Sequence, residues 1–151
     1  MAKASLATTL NHHSLVGLDS MLFIYHAERH PDYLPLTRIV FKRIETGKNK
    51  GVTSVLSLSE VLTLPYGKAR NDLAVLYRGL LADFPHLELA SFDREAAELS
   101  ASLRAHYSIA TPDAIQLATA LQLKATAFLT NDKQLVRIKE LDIILLDDYR
   151  S

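Results

Sequence analysis

Two kinds of segment alternate along the chain: short, nearly continuous apolar runs, and longer stretches whose apolar residues recur with helical spacing. Residues 15–18, 51–55, 86–92, 125–129 and 142–146 are the short runs, and they predict a sheet of four or five strands. A short helix over 20–27 is closed by His30-Pro31-Asp32, because proline disfavours a helical residue before it. A second covers 35–46, with Ile39, Val40, Phe41 and Ile44 on one stripe and Gly47 as its C-cap. Ser57-Leu58-Ser59-Glu60 has the spacing of a capping box and opens a helix that stops near Pro65. Residues 71–84 form the cleanest amphipathic pattern, with Leu73, Leu76, Tyr77, Leu80, Leu81 and Phe84 on one face. Over 93–107, Ala96, Leu99 and Leu103 point inward. Thr111-Pro112-Asp113 starts the next helix, with threonine as N-cap and proline first inside. Ala114, Ile115, Leu117, Ala118 and Leu121 supply its buried face, with Gln116, Thr119 and Gln122 opposite. Thr130-Asn131-Asp132 turns into a short helix through Ile138. Strands that alternate with helices in this way predict an α/β fold, a parallel sheet covered by helices on both faces.

The length of 151 residues suits one domain over 15–149, preceded by a flexible arm over 1–14. Lys plus Arg and Asp plus Glu are both 17, so bulk charge makes no case for nucleic acid and any such case must be local. No cysteine is present, which removes disulfides, thiolate nucleophiles and thiolate zinc sites. No apolar run approaches the eighteen or so residues of a membrane span, and a soluble, cytoplasmic protein is expected.

The chemistry lies in carboxylates. Asp19 interrupts the apolar stretch that runs from Leu15 to Tyr25 and ends the first strand. Ligands bind at the carboxyl edge of a parallel sheet, so an acid there is a site candidate. Glu60, Asp113 and Asp132 each lie close to the start of a helical pattern. Taken singly, such acids are explained by the unpaired amides and positive dipole of a helix start. Together they predict more, because all helix starts in such a sheet share one edge, and the acids meet there if the first, second and fourth strands are neighbours. Clustered carboxylates repel unless cations neutralise them. Their hard oxygens suit Mg²⁺ or Mn²⁺, and the matching substrate is a phosphate ester attacked by water, with no histidine required as base.

Leu18-Asp19-Ser20, Ser59-Glu60-Val61, the helix start from Thr111 to Ala120, and Thr130-Asn131-Asp132 resemble the motif series of PIN-domain ribonucleases, the fold of VapC-type toxins. The likeness runs from about Leu15 to Tyr149, and the Thr-Pro-Asp-Ala and Thr-Asn-Asp fragments are its most specific parts. It implies a three-layer α/β/α sandwich with the first strand central, metal-dependent endoribonuclease activity with Mg²⁺ or Mn²⁺, a homodimer and, for a toxin, an antitoxin partner. It casts Asp19, Glu60, Asp113 and Asp132 as catalytic acids, the three aspartates as metal ligands, and Ser20, Thr130 and Asn131 as polar support. Family members often carry Asn or Ser two residues after the first Asp, where this chain has Met21. One polar contact near the metal or scissile phosphate is then missing, while the acids all remain and activity is expected to survive.

Lys68, Arg70 and Lys133, with Lys124 and Arg137, are cations placed to meet an RNA backbone, though scattered surface charge has the same look. His26 and His30 have metal-binding spacing, but Pro31 cuts their helix and no third ligand follows, so they read as a surface pair. Asp147 and Asp148 read as a solvated pair. Neither a Gly-x-Gly-x-x-Gly nor a Walker loop follows a strand. The non-enzymatic alternative is a PIN-fold RNA- or protein-binding module whose acids cap helices. The 71–84 helix and the 62–66 turn offer more apolar surface than a small sheet covers, which predicts self-association.

Overall fold

The computed structural model describes residues 4–151. Its strands are β1 (Leu15–Leu18), β2 (Lys50–Ser54), β3 (Leu87–Ala90), β4 (Ala127–Thr130) and β5 (Asp142–Leu145), all parallel in the order β3-β2-β1-β4-β5. The helices are α1 (Leu6–Leu10), α2 (Ser20–Ala27), α3 (Leu34–Glu45), α4 (Leu56–Gly67), α5 (Asn71–Ala82), α6 (Arg94–Tyr107) and α7 (Thr111–Gln122). Two short 3₁₀ helices, Lys133–Arg137 and Leu146–Tyr149, follow β4 and β5.

Successive residues of a strand face opposite sides, and both sides of the central strands are covered. Val16, Leu18, Ala127 and Leu129 pack with Leu22 and Phe23 of α2, Phe41 and Ile44 of α3, and Tyr77 and Leu81 of α5. Phe128 and Val52 pack on the other face with Leu103 of α6 and Ala114, Leu117 and Ala118 of α7. This is the three-layer α/β/α sandwich, and double-sided burial is why β1 and β4 carry no polar alternation. Gly17 lets α7 close onto β1: a Cβ there would stand 2.8 Å from both Ala120 Cβ and Phe128 Cδ1.

The connections of β1 and β4 diverge, the chain passing from β1 to β2 on one side and from β4 to β5 on the other. Their carboxyl ends therefore bound the crevice where open α/β sheets bind ligands. The Asp19 amide still donates to the Leu129 carbonyl at 2.9 Å, so the first acid sits on the last rung between these strands.

Several local expectations are corrected. Of residues 1–14, expected as a flexible arm, 1–3 lie outside the described residues, and the remainder packs down instead. Ser5 caps α1 by accepting the Thr8 amide, Leu6 and Leu10 are buried, and the Asn49 side chain donates to the Leu10 and His13 carbonyls. The capping box is not formed: Val55 is the N-cap of α4, and Ser57 is fully buried inside the helix. That helix continues through Pro65 to Gly67. The N-cap of α7 is Ala110, which puts Thr111 within the first turn. Gln116 and Thr119, expected on the outer face, are 2% and 1% exposed because α7 is sandwiched between the sheet and its helical neighbours. On α5 the buried residues are Ala74, Tyr77 and Leu81, leaving Leu76 50% exposed. Among the described residues, no helix is long and apolar enough to cross a membrane.

Candidate active site

Each acid lies just past the end of a strand or in the first turns of a helix. Asp19 is the N-cap of α2 and is 6% exposed. Its Oδ1 accepts the Ser20 amide at 2.9 Å and its Oδ2 accepts the Thr130 hydroxyl at 2.7 Å. Asp132 caps the 3₁₀ turn after β4 by accepting the Gln134 amide, and its own amide donates to Thr130 Oγ1 at 3.1 Å. Thr130, with no exposed surface, thus stands between two of the acids. Asp113 is half-buried in the first turn of α7. Glu60 lies on α4 with an exposed side chain and accepts Gln116 Nε2 at 3.3 Å.

Electrostatics register this convergence. Burial pushes the Asp19 carboxyl up to about 6; the negative charges of Asp113 and Glu60 add to the rise, while the bonds from Thr130 and Ser20 oppose it. Burial also raises Asp113, followed by the charges of Asp132 and Glu60. Among the described residues, none of the ion pairs includes any of these acids. No group of three or more acidic or imidazole side chains among the described residues forms a ready-made metal cage. The carboxylates share an edge and repel across it without being drawn into one coordination shell. Hard oxygen donors with surplus negative charge are a fit for Mg²⁺ or Mn²⁺, ions that bind through one or two carboxylates and keep several waters.

The supporting residues are more connected than expected. The Asn131 amide donates to Met21 Sδ at 3.0 Å, so the thioether occupies the position where a smaller polar group was expected and serves as an acceptor. Asn131 Oδ1 accepts the Asp147 amide, and Asp147 Oδ1 accepts the Tyr33 hydroxyl at 2.6 Å. Asp147 is therefore not simply solvated; it props the loop that carries Asn131 and Asp132. Ser20 supports Asp19 through its backbone amide. Lys133 directly follows Asp132 and is exposed. Lys68 is the C-cap of α4, about 12 Å along the helix from Glu60 at 1.5 Å per residue, and Arg70, the N-cap of α5, makes a two-bond pair with Asp72. His26 bonds Thr37 and lies against Phe41, while the His30 ring packs on Tyr25 and Tyr33, so the two imidazoles do not form a pair. Gln116, three residues after Asp113, was not singled out from the sequence because its burial depends on both faces of α7 being covered.

A parallel sheet with carboxylates gathered at its switch point defines an α/β protein with an acidic crevice. The chain belongs to the PIN domain family, whose model matches residues 16–141. The fold is shared with VapBC2 from Rickettsia felis bound to a promoter DNA fragment, at TM-score 0.63 and 18% identity over 87% of this chain and 98% of that one. A toxin-antitoxin complex from Klebsiella pneumoniae gives TM-score 0.65 and 19% identity over 87% and 97%. DNA-bound VapBC from Salmonella typhimurium gives TM-score 0.63 and 19% identity over the same shares, 87% and 97%. No curated protein matches the sequence.

Proposed function

We propose that this protein is a divalent-metal-dependent endoribonuclease, the toxin of a toxin-antitoxin pair, acting in the cytoplasm. The observation that carries the reading is Asp19: a carboxylate 6% exposed at the end of the central strand, with no cationic partner among the described residues and with other acids raising its pKa. Surplus negative charge in a crevice makes sense where a cation and a phosphodiester meet.

In this reading Asp19, Asp113 and Asp132 hold Mg²⁺ or Mn²⁺, and Glu60 completes the acidic set. Bound there, the cation supplies the positive charge that the scissile phosphate and its attacking water need. Thr130 fixes Asp19 and the Asp132 backbone relative to each other. Asp132 and Asn131 lie on the loop braced by Asp147. Lys133, and at longer range Lys68 and Arg70, face the RNA backbone. An antitoxin partner is supported by the structures of similar fold, which include a toxin-antitoxin complex from Klebsiella pneumoniae and a member of the VapBC family of toxin-antitoxin systems from Mycobacterium tuberculosis. Exposed Leu64, Tyr66, Val75 and Leu76 on α4 and α5 are the apolar surface for self-association.

The test is direct. Purified protein with Mn²⁺ or Mg²⁺ cuts single-stranded RNA and EDTA stops it. Cleavage that continues in EDTA rejects the metal mechanism. RNA binding without cleavage in either metal points instead to a non-catalytic binding module.

A further inference from the structure

Gln116 is 2% exposed, and its amide is fully engaged. Its Oε1 accepts the Ser54 amide at 3.3 Å; its Nε2 donates to Ser57 Oγ at 2.8 Å and to Glu60 Oε1 at 3.3 Å. These partners fix which way round the amide sits. A backbone N–H only donates and a carboxylate only accepts, so the flipped amide would set donor against donor and acceptor against acceptor.

Beyond Ser57 the hydrogen bonds run in one direction. Thr53 Oγ1 donates to the Leu18 carbonyl at 2.9 Å, which spends its only hydrogen. Ser57 Oγ, 2.7 Å away, must then donate to Thr53 and receive its own bond from Gln116. The run joins α7, α4, β2 and β1 and ends on the peptide bond between Leu18 and Asp19. Thr53 and Ser57 are 2% and 0% exposed, so no water competes for these bonds. Gln116 is also on the helix that carries Asp113, one turn further along. A single buried amide therefore refers Glu60 to the elements that carry both Asp113 and Asp19.

Glu60 needs such a reference. Its side chain is exposed on a helix, and with Val55 rather than Ser57 at the N-cap it has no capping role to hold it. An unrestrained glutamate there would spread over several rotamers.

We propose that Gln116 is a positioning residue of the acidic site, holding the Glu60 carboxylate in register with Asp19 and Asp113. What Glu60 then does rests on the nuclease reading above; the contact itself does not. Gln116→Met removes the amide at nearly the same length, and Gln116→Asn keeps a buried amide but withdraws it by one methylene, enough to lose Glu60. Mn²⁺ affinity is measured by calorimetry for the wild type, for each variant, and for each combined with Glu60→Gln. Either Gln116 variant weakens Mn²⁺ about tenfold, the lower end of what loss of an outer-shell partner costs. In the Glu60→Gln background the same change has no further effect, because Gln116 acts through Glu60. Should Gln116→Met fail to fold, Gln116→Asn carries the comparison. An unchanged Mn²⁺ affinity with a lowered melting temperature, or equal losses with and without Glu60, means Gln116 only satisfies Ser54 and Ser57 and overturns the proposal. A metal-free reading accompanies it: the side-chain amide resonances of Gln116 shift in Glu60→Ala. If the wild type neither binds Mn²⁺ nor cuts RNA, the nuclease reading fails while this shift still supports the contact; if the resonances do not move, the positioning role fails even in an active enzyme.

Discussion

Thr130 donates its hydroxyl hydrogen to Asp19 Oδ2 across 2.7 Å, linking the ends of the two adjacent strands whose connections diverge. Thr130 Oγ1 in turn accepts the Asp132 amide, so one buried side chain sets the spacing of two acids that follow different strands. The bond from Thr130 is also the strongest influence that keeps the Asp19 carboxyl from rising further.

Thr130→Val tests that bond. Valine matches the shape but leaves Asp19 Oδ2 and the Asp132 amide without partners, which costs about 1–3 kcal/mol of stability. Without its donor, Asp19 titrates higher, so the acid limb of the metal-dependent pH–rate profile moves to higher pH. Thr130→Ser keeps the hydroxyl and keeps the limb in place. A Val variant whose profile coincides with the wild type would show that the bond has no bearing on the site.

The raised carboxyl has a sign that can be measured without metal. Because Asp19 holds its proton more tightly in the folded state, protonation stabilises the fold below the ordinary carboxylate range, and that contribution is lost as pH rises through about 6. Ionised, the buried carboxylate costs on the order of 3 kcal/mol by linkage at neutral pH. Asp19→Asn never ionises, so its stability relative to the wild type increases from pH 4 to pH 7. Urea unfolding in EDTA at both pH values reads the difference, and a difference independent of pH rules out the buried charge.

The placement of Asp19 and Asp132 was legible because it depends on topology: both follow short apolar runs that read as strands, and those strands are neighbours in the sheet. The hydroxyl and amide network was not legible. Ser57 looked like a cap because its spacing to Glu60 fits one, and nothing local says that Val55 takes that place while Ser57 turns inward. Gln116 looked exposed because polar residues usually mark the outer face of a helix, whereas α7 is covered on both sides. Residues 1–14 read as a flexible arm, and a five-residue helix is too short to hold alone; Leu6 and Leu10 hold α1 through tertiary burial.

Self-association has its own prediction. Leu64, Tyr66, Val75 and Leu76 are each at least half exposed on α4 and α5, two helices packed against each other. Light scattering at tens of micromolar is expected to return twice the 16.8 kDa chain mass, with an interface of about 1,200–2,000 Å². Leu76→Glu returns the monomer without lowering the melting temperature much, since the side chain is 50% exposed. A wild type that is monomeric under these conditions removes the homodimer.

The last prediction separates a metal site from helix capping. Asp19 and Asp132 do cap, by accepting the Ser20 and Gln134 amides, whereas Asp113 makes no side-chain cap at the start of α7. Asparagine caps about as well as aspartate, so if these acids were only helix-terminal residues, Asp19→Asn, Asp113→Asn and Asp132→Asn would each leave no mark on the response to metal, and the exchange at Asp132 would keep metal-free stability within about 1 kcal/mol. With a cation site, removing one of several mutually repelling carboxylates raises or holds the metal-free melting temperature at neutral pH, while the stabilisation gained from Mn²⁺ shrinks and RNA cleavage falls with it. Asp19→Asn should show the largest loss, at least tenfold to a hundredfold in metal affinity or rate, because Asp19 directly follows the central strand and feels both Asp113 and Glu60. Asp113→Asn is the cleanest of the three, since no cap is lost with the charge. If all three variants keep wild-type Mn²⁺ stabilisation and wild-type cleavage, the carboxylates are helix-terminal residues and the site lies elsewhere.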